Sequence, residues 1–155
     1  MAKKFKTHEE YIKYMVKELS LHGRKLVENA YNTREFSNQT YNLHDSYGCA
    51  VYYNGILQSD SIYTMKSQAD EPKHWYGKPI YGASEITDFF LEYRLNSKGF
   101  DLVVAAAMPY ASILEHGEGS LTRKYRVITG IKGDMKNLAA KYNGKVHNSS
   151  TSRIV

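Results

Sequence analysis

The feature that most constrains this chain is an apolar stripe near its start, where Ile12, Met15, Val16, Leu19, Leu26, Val27 and Ala30 recur at three- and four-residue steps. That period predicts an amphipathic helix from about residue 8 to about 31, opened by Thr7 and Glu10 in capping-box spacing. Gly23 interrupts the stripe at a cost of roughly 1 kcal/mol against alanine, which points to a kink or a close contact there.

Strand signals follow the helix. YGCAVYY and ILQSDSIY flank Asn54-Gly55, a dipeptide suited to a two-residue type I′ hairpin turn because both central residues need positive φ. Leu102 to Met108 is a continuous apolar run with the length and valine content of a central strand buried on both faces. Pro109 ends it, because proline cannot donate to a sheet ladder. Tyr125, Val127 and Thr129 alternate as in a further strand.

The connections are read from composition. Asn32 to Asn42 is rich in Asn, Thr, Ser and Gln, reads as irregular, and runs into TYNLHDS. Thr64 to Tyr81 holds Pro72, Gly77, Pro79 and Trp75 and reads as an extended surface loop with an aromatic anchor. Ser84 is placed to cap a second, core-facing helix bearing Ile86, Phe89, Phe90 and Tyr93, with Gly99 as its stop. A last helix, Asp134 to Tyr142, carries Met135, Leu138 and Ala139 at helical spacing. The expected fold class is α+β, with the long N-terminal helix packed on a small, mainly antiparallel sheet and a second helix. One domain is expected over residues 1–145, with a polar tail, 146–155, that is flexible unless a partner orders it.

Charge is the most informative part of the composition. The net +5 divides into +4 over residues 1–26, −6 over 27–120 and +7 over 121–155. A basic C-terminal segment on an acidic body suits nucleic acid, or an acidic surface on another copy of the chain. Fourteen tyrosines fit equally an interface and well-filled strand faces. The single cysteine, Cys49, excludes an internal disulfide and a cysteine zinc site and reads as a small core residue. MAKKFKTHEE runs into charged residues without the apolar region of a secretory leader, and no stretch is long and apolar enough to cross a membrane.

Residue types with chemical potential occur twice. Glu115 and His116 in the helical turn YASILEHG, with Glu118 just after it, follow the apolar strand, but adjacent helical residues point in different directions and no second ligand pair has recognisable spacing. His44, Asp45 and Ser46 have the types of a hydrolase triad, yet consecutive residues do not face one another in triad order. No GxxxxGK[ST] or GxGxxG occurs. The expectation is a protein that is not an enzyme, with no catalytic, metal or cofactor site. The basic end, with Arg123, Lys124, Arg126, Lys132, Lys136, Lys141, Lys145 and Arg153, is suited to tracking phosphates, with Tyr125 and Tyr142 available for stacking. It matches no RRM, KH or helix-turn-helix signature, so the nucleic-acid alternative is a nonspecific one.

The order of these segments resembles the tail-component and head-tail joining (neck, tail-completion) proteins of tailed bacteriophages. Members have an N-terminal helix, a tG-x-L-x-x-S segment entering a β-hairpin, and a YA-x-x-x-E-x-G segment after a strand. Thr40, Asn42, Leu43, Asp45 and Ser46 fill the first motif, and Tyr110, Ala111, Glu115 and Gly117 the second. The likeness covers most of residues 8–119. It departs where the first motif has glycine and this chain has Tyr41, and in Thr64 to Gly82 with the second helix, which read as an elaboration. The resemblance implies a non-catalytic virion subunit, made in the bacterial host cytoplasm, that forms a homo-oligomeric ring at the portal-tail junction. Its partners would be portal, adaptor or tail proteins. The motif residues Tyr110, Ala111, Glu115 and Gly117 are expected at the subunit interface, and the charge distribution adds the pairing of Glu115 and Glu118 with Arg123, Lys124 or Arg126 of a neighbour.

Overall fold

The Thr7 side chain accepts the Glu10 amide at 3.1 Å, and Glu10 reaches back to the Lys6 amide at 2.9 Å. Helix α1, His8–Asn32, starts on that cap and buries Leu19, Gly23, Leu26, Val27 and Ala30. The computed structural model describes residues 4–33, 41–108 and 131–146. Its further elements are α2 (Asn42–Asp45), β1 (Tyr47–Tyr53), β2 (Ile56–Leu57), a 3-10 turn (Ser59–Ser61), β3 (Tyr63–Thr64), β4 (Lys73–Trp75), β5 (Lys78–Ile80), α3 (Gly82–Glu92), β6 (Phe100–Ala106) and α4 (Lys132–Lys141).

The architecture is α+β, with α1 packed on a mainly antiparallel sheet and further helices. Strand β1 is its centre, paired with β6 along its whole length from Tyr47↔Ala106 to Tyr53↔Phe100. Strands β2 and β3 therefore share the opposite edge of β1, paired at Tyr52↔Leu57 and Cys49↔Tyr63. Alternation along β1 sends Tyr47 and Cys49 into a core with Leu26, Val27 and Ala30 of α1, which Met135 and Leu138 of α4 also join. The same alternation sends Ala50 and Tyr52 into a second core with Ile86 and Phe90 of α3. The sheet is thus a middle layer, with α1 and α4 on one side and α3 on the other.

Gly23 is a close contact: an added Cβ would lie 2.7 Å from Cys49 Sγ and 2.9 Å from Leu102 Cδ1. Asn54 and Gly55 adopt the positive φ values, 50° and 79°, that the hairpin turn demands. Gly99 fastens β6 to that turn, because the Asn54 amide donates to its carbonyl and its own amide donates to Asn54 Oδ1, both at 2.8 Å.

Several expectations are corrected. The strand buried on both faces is β1, whereas β6 is half-buried throughout. Among the described residues β6 pairs with β1 alone, while β1 has neighbours on both edges and a helical layer over each face. ILQSDSIY is not one strand: Ser61 Oγ accepts the Val51 amide at 2.8 Å and so interrupts the ladder between β2 and β3. Thr64 to Tyr81 is not wholly loop, since β4 and β5 form a hairpin turned at Tyr76 and Gly77, with Trp75↔Lys78 as its last pair. Helix α3 starts at Gly82 without a side-chain cap from its own segment, so Ser84 is inside the helix, and it stops at Glu92 rather than near Gly99. There the Arg94 guanidinium caps the Leu91 and Tyr93 carbonyls. The strand expected at TRKYRVITGI lies outside the described residues up to its last position, Ile131, which is buried.

Candidate functional site

The expected interface residues Tyr110, Ala111, Glu115, Gly117, Glu118, Arg123, Lys124 and Arg126 lie outside the described residues, as does His116. What the structure describes of the two motifs is the first, from Tyr41 to Ser46. Tyr41 adopts the left-handed conformation, φ 62° and ψ 7°, and launches α2, the single turn that delivers the chain into β1. That conformation is disfavoured for residues with a Cβ and costs glycine nothing.

Every side chain after Tyr41 in this turn is spent inside the fold. Asn42 is fully buried; its Oδ1 accepts the Gly82 amide at 3.0 Å and its Nδ2 donates to the Glu71 carbonyl at 2.8 Å. It supplies from a distance the acceptor that α3 lacks at its own N-terminus, and so joins α2 to α3. Gly82 permits the approach, because a Cβ there would overlap the Asn42 carbonyl. Leu43 enters the α1 core, and Ser46 Oγ donates to the Leu43 carbonyl at 2.7 Å.

His44 and Asp45 do meet, although consecutive residues were not expected to face one another: His44 Nδ1 lies 2.7 Å from Asp45 Oδ1, and both side chains are buried. The carboxylate also accepts from Ser67 Oγ at 3.0 Å and from the amides of Gln68 and Ala69 at 2.9 and 3.0 Å. Burial pushes the Asp45 carboxyl upward, but these four donors outweigh it and hold the group below its ordinary value of 3.8. The His44 ring sits edge-on to Tyr31, with centroids 4.7 Å apart. Ser46 Oγ is bonded to the Leu43 carbonyl rather than to the histidine, and Asp45, held by His44, pins the loop before β4.

The remaining chemistry is sparse among the described residues. No three His, Cys, Asp or Glu side chains gather as metal ligands, and no helix is long and apolar enough to cross a membrane. Cys49 is buried, and desolvation, offset slightly by Arg24, raises its thiol to about 12. An open depression lined by Glu71, Pro72, Lys73 and His74 offers no enclosed site.

The outer faces of the layers are more distinctive. Lys13, Lys17, Leu21 and Lys25 follow at four-residue steps on the exposed side of α1, with Arg24 beside them, while Glu9, Glu10, Glu18 and Glu28 give the helix as many acids as bases. Helix α4 adds exposed Lys132, Lys136 and Lys141 on the same side of the sheet, with Tyr142 edge-on to His22 of α1. Across the sheet, α3 exposes Ser84, Asp88 and Glu92 at four-residue steps, with Thr87 and Leu91 alongside and no lysine or arginine in the helix. The neighbourhood of α4 and α1 was not visible in sequence, because only packing places them together. No family model, curated protein or solved structure matches the chain.

Proposed function

We propose that the chain is a structural virion protein of a tailed bacteriophage, a head-tail connector, neck or tail-completion subunit that assembles into a homo-oligomeric ring. The observation that carries this reading is the backbone at Tyr41. The resembled family has glycine at that place in its first motif, and here the residue stands in the conformation that glycine adopts without strain, with φ at 62°. The other motif positions have roles that depend on that turn: Leu43 fills the core, Ser46 closes α2, and the segment runs straight into the β1–β2 hairpin. A motif that works by building the fold, with its polar groups consumed internally, suits a protein whose task is assembly. Negative-stain electron microscopy of the purified chain tests this: discrete rings are expected, and a chain that stays monomeric at every concentration would overturn it.

Nonspecific nucleic-acid contact is the second reading, favoured by the exposed lysines that α1 and α4 gather on one side of the sheet. It predicts DNA binding by the monomer with a steep inverse dependence on salt, measurable by fluorescence anisotropy.

A further inference from the structure

Residues 65–81 leave the sheet at the end of β3 and rejoin the body at α3. Their apolar hold is confined to the two ends: Met65 and Ile80 pack half-buried against the α1 core, and between them no described side chain belongs to either core. Among the described residues β4 and β5 pair only with each other, and a two-stranded hairpin alone is marginally stable in water. With the two-residue turn at Tyr76 and Gly77, Trp75↔Lys78 and Lys73↔Ile80 are the hydrogen-bonded pairs. Pro79 falls between them, where its missing amide costs no ladder bond.

The rest of the hold is polar and comes from α2. Asp45 accepts from Ser67 Oγ and from the Gln68 and Ala69 amides, and Asn42 Nδ2 donates to the Glu71 carbonyl. Asn42 and Asp45 are buried, whereas Ser67, Gln68 and Glu71 are exposed, so these bonds form a seam between the body and a segment lying over it.

We propose that residues 66–79 are a strap that opens as one unit about its ends at Met65 and Ile80, with the Asp45 carboxylate as its latch, while α1, α3 and the β1–β6 ladder stay folded. Three of the strap's bonds end on one carboxylate, so they are made and lost together. Once they are lost, the hairpin has no face packed on the body and its own ladder melts with the release. Opening admits water to Asn42 and Asp45 and leaves Asp45 with His44. Strand β1, by contrast, pairs with β6 from Tyr47 to Tyr53 between two cores and opens only with the whole fold. The strap belongs to the single chain, so it works alike in a monomer or a ring.

The test is native-state hydrogen exchange of the full chain over a series of low urea concentrations. The amides of Gln68 and Ala69, at the latch, and of Lys73 and Lys78, in the hairpin, should share one opening constant and one urea slope. That constant should exceed the one for the β1–β6 amides by at least about tenfold. Ser67→Ala changes an exposed residue outside both cores and removes one latch bond. It should raise opening by about fivefold, and by the same factor at Lys73 and Lys78, which Ser67 does not bond, as at Gln68 and Ala69. Unrelated constants at the four amides would mean independent fraying and overturn the proposal. Constants equal to those of the β1–β6 ladder would overturn it too, since the strap would then open only with the whole chain. A Ser67→Ala effect absent from Lys73 and Lys78 would likewise overturn it.

Discussion

Replacing Asp45 by alanine tests the knot that seats the chain before β1. The side chain is 1% exposed and accepts from His44 Nδ1, Ser67 Oγ and the amides of Gln68 and Ala69 at 2.7 to 3.0 Å. Its removal leaves four donors without their acceptor. A donor stranded in this way costs about 1–3 kcal/mol, and the three from residues 67–69 are only part-buried, where water can replace the carboxylate, so the low end applies and the loss is about 4 kcal/mol. At roughly 2–4 °C per kcal/mol for a domain of this size, the midpoint should fall by about 10 °C. Thermal unfolding followed by circular dichroism measures the fall, and hydrogen exchange should show the Gln68 and Ala69 amides losing protection ahead of the β1 ladder. A midpoint within about 2 °C of wild type, with those amides still protected, would refute the reasoning.

Other consequences follow from the same geometry. Because the folded Asp45 carboxyl is held below its ordinary 3.8, its stabilisation is present above that value and is lost as pH falls through the lower folded value. The stability gap between wild type and Asp45→Asn, read from urea denaturation, should therefore narrow as pH falls through the lowered folded value. Gly82→Ala forces a Cβ onto the Asn42 carbonyl and should cost about 3 kcal/mol in the same assay, with exchange increasing at the start of α3. Tyr41→Gly should stay within about 1 kcal/mol of wild type, since relief of left-handed strain offsets glycine's entropy, whereas Tyr41→Val should destabilise. Gly23→Ala should lose stability despite alanine's higher helix propensity, and a Cys49→Ala change in that background should recover part of the loss, because the added Cβ meets Cys49 Sγ at 2.7 Å.

Local signals were legible where a local rule decides the outcome. The α1 stripe with its Thr7 cap, the Asn54-Gly55 turn and the spacing of Met135 and Leu138 in α4 each need only a few neighbouring residues to be specified. Features that depend on partners far along the chain were not legible. Ser84 looked like a helix cap because nothing near it discloses that Asn42, forty residues earlier, serves the α3 N-terminus. The apolar run in β6 looked central because hydrophobicity was read without pairing, whereas YGCAVYY, with its small and aromatic residues, lies between two cores. Ser61 appeared to be an ordinary strand residue, and its ladder-breaking bond to Val51 belongs to tertiary structure. The expected interface, residues 110–126, lies outside the described residues.

As proposed above, this fold is a building block that meets copies of itself. The most direct measurement is the mass of the purified chain in solution over a range of concentrations, by light scattering after size exclusion, with particles from the same fraction imaged by electron microscopy. A discrete multiple of 17.8 kDa and closed rings are expected. A single 17.8 kDa species at every concentration, with no ring in the images, would contradict it.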